Sequence, residues 1–515
     1  MTISKENEWL SQTEATNSKT AIFIGEISHN KLFQESKTFP AGILLIGNHD
    51  GGDSLNASKN ITILSESEDD EKLTSAIQSF IRIDQDHVPA IKISHIKDLK
   101  NANRFLGIVE ITHSIIDSTL RVRKTRRETG FLRQNNILNN LNHYLKKRLP
   151  SEWKNCARGS IAVVIGAGPS LDSTLKCLKK IDNPLIVCTD SGLSSLEKIG
   201  ILPQFVINID PEKNFEQCTH KDFTPGTLIL SSQSHQSWIS NWNGCKRFIS
   251  GRVVSEDWLS EKGVGKTPVL AESNVGLSAI SFANFLGPSA IILFGMDLSC
   301  GGKGEKRYAK ITGRQNIEVN ASFYHKIPGN FQDTVPTPFL SDWQETSKAC
   351  LNISQDRPII NLNDRGAKLE GTDILNPENF DDIIDTLEEN FRPFNEDNEI
   401  LTAKRGISLL ALNQICFELA RHCDNIWSKI QGVSANNIEV LRDLFADKEI
   451  ASLLGDFSFS AFQVLLSDRK IENWKIQQLD QELRILIWRL EDAIISINPS
   501  EDFMIDFLMG DKFTR

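Results

Sequence analysis

The sequence lacks the features that mark a secreted, membrane-spanning or disulfide-bonded protein. Its nine cysteines form no CxxC pair. Cys177, Cys188 and Cys416 lie in apolar runs, so we expect buried free thiols rather than disulfides, which favours a reducing compartment. Residues 1–20 contain no apolar signal core, and no stretch approaches the roughly 18 consecutive apolar residues of a membrane helix. We therefore expect a cytoplasmic protein without a transmembrane segment.

Charge and length exclude further classes. The 515 residues carry a formal net charge of −10 with a pI near 5.6, which argues against non-specific nucleic-acid binding. Residues 121–127 (RVRKTRR) are a basic exception. Such a run is typical of a solvated helix face or a domain contact, or of an anion or partner site. A chain of this length is too long for one hydrophobic core, so we expect two to four domains.

Residues 161–211 are the most informative stretch. Three short apolar runs, at 161–165, 185–188 and 205–209, alternate with two helical patterns, and each run ends in a small or acidic residue. That rhythm predicts an α/β domain with a parallel sheet and crossover helices. Ligands of such sheets bind beyond the carboxyl ends of the strands. A nucleotide-like ligand is therefore the first hypothesis.

The turn after the first run, GAGPSL, has the pattern of an anion site. Gly166 and Gly168 permit a tight turn with close backbone approach. Pro169 and Ser170 suit the first turn of a helix, whose free amides attract phosphate. Leu171 stands where the dinucleotide fingerprint has its third glycine, which weakens the case for NAD. A purely structural strand-to-helix turn is the alternative.

Carboxylates follow the next two runs. Asp190, which precedes Ser191, is placed to hold ribose hydroxyls or to cap the helix that follows. Asp210 is placed to bind a divalent cation or a substrate hydroxyl, with a helix cap as the alternative. Glu212 lies close by, but Asp210 does not begin a DxD metal motif.

A further strand predicted at 290–294 ends in Gly295 and Asp297, and Asp297 is expected to point toward the same crevice. Residues 301–332 come next, rich in Gly, Lys and Asn and without periodicity. A long loop of this kind is usually functional or disordered, and here it is a candidate lid. Its donors suited to phosphate oxygens are Lys303, Lys306, Arg307 and Tyr308.

Two histidines are candidates for a general base. An imidazole needs little tuning of its pKa at neutral pH. His325, at the end of the loop, is the first choice and His235 is its rival. A structural or solvent-exposed role is the alternative for each.

The remaining patterns divide the chain into parts. Apolar runs at 21–25, 42–46, 61–64 and 90–93 predict a small N-terminal α/β domain, and the glycine-rich residues 47–52 are either a turn or a remnant phosphate loop. From about residue 385 the period is helical and predicts a bundle. We expect a disordered tail at 1–20, an N-terminal α/β domain with connecting helices at 21–155, a central domain at 156–380 and a helical domain at 381–515.

Taken together, these motifs carry a resemblance to a known family. GAGPSLD and the segment from CTDSGLSS to NIDP resemble the domain shared by archaeal-type 6-hydroxymethylpterin diphosphokinases (MptE-like) and the motility accessory factor (Maf) glycosyltransferases. NVGLSAISFANFLGPSAIILFGMDLS, IPGNFQDTVPTPFLSDWQ and IINLNDRGAKLEGT resemble the Maf branch in particular. The resemblance covers roughly residues 20–375. It implies a Rossmann-like central domain with a sialyltransferase-like (GT-A-like) sheet.

The resemblance also implies a reaction. A nonulosonic acid of pseudaminic, legionaminic or sialic type would pass from a CMP-activated donor to Ser or Thr of flagellin or a related surface acceptor. His325 would deprotonate the acceptor hydroxyl and Tyr308 would stabilise the leaving phosphate. A CMP-sugar has a single phosphate, so no metal or other cofactor is expected. The donor would be bound by Gly166, Gly168, Pro169, Ser170, Asp190, Ser191, Asp210, Asn274, Gly295 and Asp297.

Two other functions stay open at this point. One is Mg²⁺-dependent pyrophosphoryl transfer to a pterin, for which Asp190, Asp210 and Glu212 would supply a carboxylate cluster. The other is a non-catalytic assembly factor that binds a nucleotide sugar. Neither alternative involves nucleic acid.

Overall fold

The structure is a computed structural model in which two compact units follow one another along the chain, Met1–Thr125 and Arg126–Arg515. The residues that it describes are 9–11, 18–48, 60–81, 88–94, 99–300, 306–314, 316–317, 324–384, 391–394, 406–431, 438–465 and 471–497.

The first unit contains a five-stranded sheet. Its strands are β1 (Trp9–Ser11), β2 (Thr20–Ile24), β3 (Gly42–Ile46), β4 (Ile61–Leu64) and β5 (Ala90–Ser94), in the order β1-β5-β2-β3-β4. β1 runs antiparallel to β5, and the other pairs are parallel. The four strands predicted from apolar runs are present. β2 and β3 are buried along their whole length, as continuous apolar runs predict, whereas β4 is only partly buried. Within residues 1–20, expected as a disordered tail, Trp9–Ser11 form β1 through backbone pairing with β5.

Helices α1 (His29–Thr38) and α2 (Asp70–Ile81) belong to this unit. Residues 47–52 lie partly outside the described residues. Gly47 itself has φ +143 and lies so close to the Gly25 carbonyl that a side chain there would overlap it.

Helix α3 (Leu99–Lys146) contains the division between the two units. The division therefore falls earlier than the boundary expected after residue 155. The reason is that residues of its second half bond to the sheet of the second unit, as described below. The basic run at 121–127 lies in this helix, but its side chains are outside the described part of the structure.

The second unit is built on an eight-stranded sheet. Its order is β10-β9-β8-β7-β6-β11-β14-β15, and neighbouring strands are parallel throughout. The strands are β6 (Ile161–Ile165), β7 (Leu185–Thr189), β8 (Phe205–Asn208), β9 (Thr227–Ser231), β10 (Lys246–Ile249), β11 (Ala290–Phe294), β14 (Ile359–Leu362) and β15 (Asp373–Leu375). The parallel sheet predicted from the sequence is confirmed.

Helices connect these strands and cover the sheet. They are α4 (Leu171–Thr174), α5 (Leu193–Lys198), α6 (Gln236–Asn241), α7 (Val254–Glu261), α8 (Val275–Leu286) and α9 (Leu340–Ile353). α8 packs against β6, β7 and β8 and has eight buried residues, as its almost wholly apolar sequence predicts.

The segment predicted as one long loop is partly ordered. β12 (His325–Pro328) and β13 (Thr334–Thr337) form an antiparallel hairpin, so the expectation of a structureless loop up to residue 332 is wrong there. Residues 301–305, 315 and 318–323 lie outside the described residues, and Lys303 is among them.

The C-terminal segment is helical, as its period predicts. Its helices are α10 (Leu409–Ile430), α11 (Ile438–Ala446), α12 (Lys448–Leu465) and α13 (Asn473–Ile497). The apolar stripe of α13, Leu479, Leu483, Leu486, Leu490 and Ile494, is buried, and it shares one hydrophobic core with a face of the large sheet. Among the described residues, no helix has the length and apolar character needed to cross a membrane.

The strand order places a crevice at the centre of the large sheet. From β6 the chain proceeds outward through β7 to β10 and then returns to the opposite side of β6 with β11. The turns that follow β6 and β11 therefore leave the sheet edge in different directions. Parallel sheets bind their ligands at such switch points.

Candidate functional site

The turns after β6 and β11 are bonded directly to each other. The amide of Gly166 donates to Phe294 O at 2.7 Å, and the amide of Gly168 donates to Gly295 O at 2.8 Å. A side chain at Gly166 would overlap Gly295 O. The glycines thus permit close approach of two strand ends, which is a structural role in addition to the anion site predicted for them.

Asp297 joins the same two turns through its side chain. Its Oδ2 accepts from the Ser170 amide at 3.1 Å and from Ser170 Oγ at 2.8 Å, and Ser170 Oγ also lies 2.8 Å from Asn363 Oδ1, beyond β14. Asp297 is 2% exposed, and its Oδ1 has no hydrogen-bond partner. Burial raises the pKa of Asp297 to about 7, although the bonds from Ser170 lower it in part.

Two glycines enclose this carboxyl group. A side chain at Gly168 would overlap Asp297 Oδ2, and one at Gly366 would come within 2.8 Å of Oδ1. The Ser170 amide, predicted to attract a phosphate after Pro169, donates to Asp297 instead. In this conformation Ser170 and Asp297 therefore position the strand ends and do not line the open crevice.

Asp190 forms a second buried cluster at the ends of β7 and β8. Its Oδ1 accepts from the Ser191 amide at 2.5 Å and its Oδ2 accepts from Asn208 Nδ2 at 2.8 Å. Lys213 Nζ lies 3.0 Å from Asp190 Oδ1 and 3.7 Å from Asp210 Oδ2. The side chain of Asp190 is fully buried and that of Lys213 is 12% exposed.

Lys213 is not among the site residues predicted from the sequence. Burial opposes its charged form, but the carboxylates of Asp190 and Asp210 outweigh burial and hold the pKa of Lys213 above its usual value. Lys213 therefore stays a cation in the crevice. The available sequence signal was its position three residues after Asp210, on a segment that leaves a strand end.

The same geometry tests the carboxylate cluster predicted for Mg²⁺. Lys213 Nζ bonds to Asp190 and also lies within ion-pair distance of Asp210, and the backbone amide of Glu212 donates to Asp210 Oδ1 at 2.9 Å. An ammonium thus takes the position that a shared metal ion would need. Among the described residues, no three His, Cys, Asp or Glu side chains are grouped for metal binding. The arrangement of Asp190, Asp210 and Glu212 does not fit the predicted Mg²⁺ site.

Tyr308 lies over the glycine turn. The amide of Ala309, the next residue, donates to Ala167 O at 3.0 Å. Asp172 holds the following turn by accepting from the amides of Lys310 and Ile311, both at 2.9 Å. Tyr308 is 8% exposed and is among the groups that raise the pKa of Lys213. The structure therefore brings this predicted residue to the Asp190 cluster.

Two arginines flank the Tyr308 ring. The guanidinium carbons of Arg307 and Arg314 lie 5.1 Å and 5.0 Å from the ring centroid. Arg314 Nη1 donates to Gln217 O at 2.6 Å, while its buried Nε has no partner. Arg314 also lines a cavity of about 270 Å³. The two arginines add positive charge beside Lys213, whose own charge is paired with Asp190 and Asp210, and guanidinium groups suit phosphate oxygens.

His325 begins β12 on the β11 side of the switch point. It pairs with Thr337, whose Oγ1 donates to Leu298 O at 2.8 Å, and it is half-buried. The hairpin is therefore anchored beside Asp297. Leu298 has φ +46, an uncommon conformation for a residue with a branched side chain.

Two other candidates have local structural roles. His235 Nδ1 accepts from the Ser237 amide at 3.2 Å and caps α6. Asn274 caps α8, since its Oδ1 accepts from the Leu277 amide at 2.8 Å. Both side chains nevertheless lie beyond the carboxyl ends of the strands.

The raised pKa of Asp297 predicts a particular dependence of stability on pH. Between about pH 4 and pH 7 the unfolded chain loses this proton while the folded chain keeps it, so the free energy of unfolding falls as the pH rises, by roughly 4 kcal/mol for this group. Asp297→Asn removes that slope. We expect denaturant unfolding to show the wild type gaining stability relative to the variant on acidification. Parallel pH profiles of the two proteins would contradict this account.

The ion pair of Lys213 with Asp190 predicts a non-additive effect. Lys213→Met leaves a fully buried carboxylate without its cation, and we expect a loss of about 3 kcal/mol in unfolding free energy. Asp190→Asn combined with Lys213→Met removes both charges and should recover much of that loss. Urea unfolding of the two single variants and the double variant measures the coupling. Additive losses would show that the pair is not coupled.

The comparison with protein families matches one segment of the chain. Residues 135–303 match the family described as 6-hydroxymethylpterin diphosphokinase MptE-like. The segment includes the end of α3 and the strands from β6 to β11, hence the glycine turn, Asp190, Lys213 and Asp297. A comparison with curated proteins gave no match.

A solved structure extends the likeness to nearly the whole chain. The Maf glycosyltransferase from Magnetospirillum magneticum AMB-1 aligns with a TM-score of 0.50 and 15% sequence identity, over 98% of this chain and 84% of that chain. At that identity the likeness establishes a shared fold. It confirms the mixed α/β fold class expected from the motifs. Residues 135–303 are therefore similar to the MptE-like family, and the chain as a whole shares the fold of the Maf glycosyltransferase from Magnetospirillum magneticum.

Proposed function

We propose that this protein is a Maf-type glycosyltransferase that moves a nonulosonic acid from a CMP-activated donor to a Ser or Thr hydroxyl of flagellin or a related surface protein. The fold shared with a Maf glycosyltransferase supports the reaction class. The donor and acceptor rest on the resemblance of the motifs and on the charges of the crevice.

The observation that carries the proposal is the cation at the strand ends. Lys213 is ion-paired to Asp190 and close to Tyr308, and Arg307 and Arg314 flank that ring. A single phosphate needs one or two such donors and no metal ion. A triphosphate would normally require Mg²⁺ held by carboxylates. Asp190 and Asp210 pair with Lys213 instead, which favours a nucleoside monophosphate donor.

In this proposal, phosphate binding and proton transfer take place on two different sides of the switch point. On the β7 and β8 side, Lys213 and Tyr308 hold the phosphate and stabilise its charge as the sugar leaves. Asp190 orients Lys213, because its buried carboxylate fixes the ammonium. On the β11 side, His325 accepts the proton of the acceptor hydroxyl. Attack by that hydroxyl on the anomeric carbon, opposite the leaving CMP, inverts the configuration.

A ligand comparison tests the donor class. We expect CMP to raise the unfolding temperature equally with and without Mg²⁺, since the phosphate is met by Lys213. Saturation at about 100 times Kd stabilises by roughly 2.7 kcal/mol, which a thermal-shift assay detects. Lys213→Met should lose the CMP effect, whereas Lys221→Met, at an exposed lysine, should keep it. Stabilisation by ATP only in the presence of Mg²⁺ would instead favour diphosphokinase chemistry.

A second prediction concerns the base. His325→Ala should lower transfer from a CMP-nonulosonate to a Ser/Thr peptide by about 10²–10⁴-fold, because proton removal loses its acceptor, and should leave stabilisation by CMP unchanged. Product mass spectrometry and thermal shift measure the two effects. His220→Ala, at an exposed histidine paired with Glu197, is the control. Retained turnover in His325→Ala would remove His325 from the mechanism, and binding of CMP without any turnover by the wild type would favour a non-catalytic role.

A further inference from the structure

The asparagine-rich segment of α3 faces the ends of the strands that carry the site. Asn136 and Asn140 are buried, at 3% and 0% exposure, and lie four residues apart, on one face of the helix. Arg133 precedes them on that face and Tyr144 follows one turn later. The row of side chains meets the ends of β8, β9 and β10 in succession.

Each of the two amide groups holds two backbone carbonyls. Asn136 Nδ2 donates to Pro211 O at 3.1 Å and to Gln233 O at 3.0 Å. Asn140 Nδ2 donates to Ser232 O at 2.9 Å and to Ser234 O at 2.8 Å. A primary amide has two N–H donors, which matches two acceptors. A leucine of similar size would remove the donors from all four carbonyls, three of which are in buried bonds.

These carbonyls belong to the two segments on which the Lys213 cluster depends. Pro211 follows Asp210, the carboxylate 3.7 Å from Lys213 Nζ. Ser234 Oγ donates to Asn208 O at 2.7 Å, and Asn208 Nδ2 donates to Asp190 Oδ2 at 2.8 Å. Asn136 thus supports one carboxylate partner of Lys213, and Asn140 supports the other through two further hydrogen bonds.

The neighbouring side chains of α3 extend the row toward the C-terminal helices. Arg133 Nη1 pairs with Asp456 at 3.0 Å and its Nε donates to Gln233 Oε1. Gln134 Nε2 donates to Leu453 O at 3.1 Å. Both partners lie in α12, so the helix face is held from behind by the helical part of the same compact unit.

We infer that Asn136 and Asn140 are positioning residues, which fix the loops after β8 and β9 and thereby the geometry of Asp190, Asp210 and Lys213. The inference rests on the proposed function for what the loops bind, but the placement of the loops does not. Neither amide touches the crevice. Their effect on donor binding passes through the backbone of residues 209–213 and 231–236.

Hydrogen exchange read by mass spectrometry tests the placement without any ligand. Asn136→Leu should speed amide exchange in peptides covering 209–213 and 231–236 by about tenfold, through loss of two hydrogen bonds. Asn140→Leu should act chiefly on 231–236. Asn139→Leu is the matched control, since Asn139 lies on the same helix and its side chain bonds neither of these described loops. Unchanged exchange in both loops, or an equal rise over the whole chain, would overturn the inference.

A functional readout separates positioning from loss of fold. In Asn136→Leu and Asn140→Leu the donor KM should rise about tenfold with kcat changed less, and the unfolding temperature without ligand should fall only modestly. A fall in kcat as large as the rise in KM, together with a large fall in unfolding temperature, would indicate a purely structural role. If the wild type binds no CMP, the proposed function fails, and the exchange experiment still decides the role of the two asparagines.

Discussion

The hydrogen bonds from Ser170 to Asp297 are the constraint on which the rest of the site depends. They join the turns after β6 and β11. These two central strands lie side by side, but the chain leaves their ends toward opposite sides of the sheet. Because a carboxylate accepts them in a volume closed by Gly168 and Gly366, the group is nearly dry and its pKa is raised. The strand ends are thereby fixed relative to each other, and the loops that leave them start from defined positions.

The half of the crevice at the ends of β8 and β9 is held by different interactions. The ends of β8 and β9 are held by side-chain amides from α3, while charge is concentrated on Lys213 between carboxylates. Tyr308 joins the halves, because the amide of the next residue, Ala309, bonds to the glycine turn while Arg314, which lies against the Tyr308 ring, donates to Gln217 O. Close backbone packing fixes one side of the crevice, and an ion-paired lysine fixes the other.

The sequence predicts the strands and the glycine turn better than it predicts the side-chain contacts of the site. Continuous apolar runs such as Ile161–Ile165 identify buried strands, and the glycine turn can be placed because it follows one directly. The partner of Ser170 could not be deduced, since it comes from residues distant along the chain. Lys213 resembles a surface lysine in a polar segment until the fold brings two carboxylates to it. β14 and the hairpin after residue 324 escaped notice because short runs interrupted by polar residues or proline have no clear period.

The position of β6 in the sheet has a consequence for how the chain is synthesised. Every residue of β6 is buried in the finished protein, yet one of its neighbours, β11, is translated only after β7 to β10. Until then β6 is an unprotected edge, which is a template for pairing with other chains. A nascent chain that has not reached Phe294 is therefore prone to aggregate, and this fold places a demand on chaperones during translation that ends when β11 inserts.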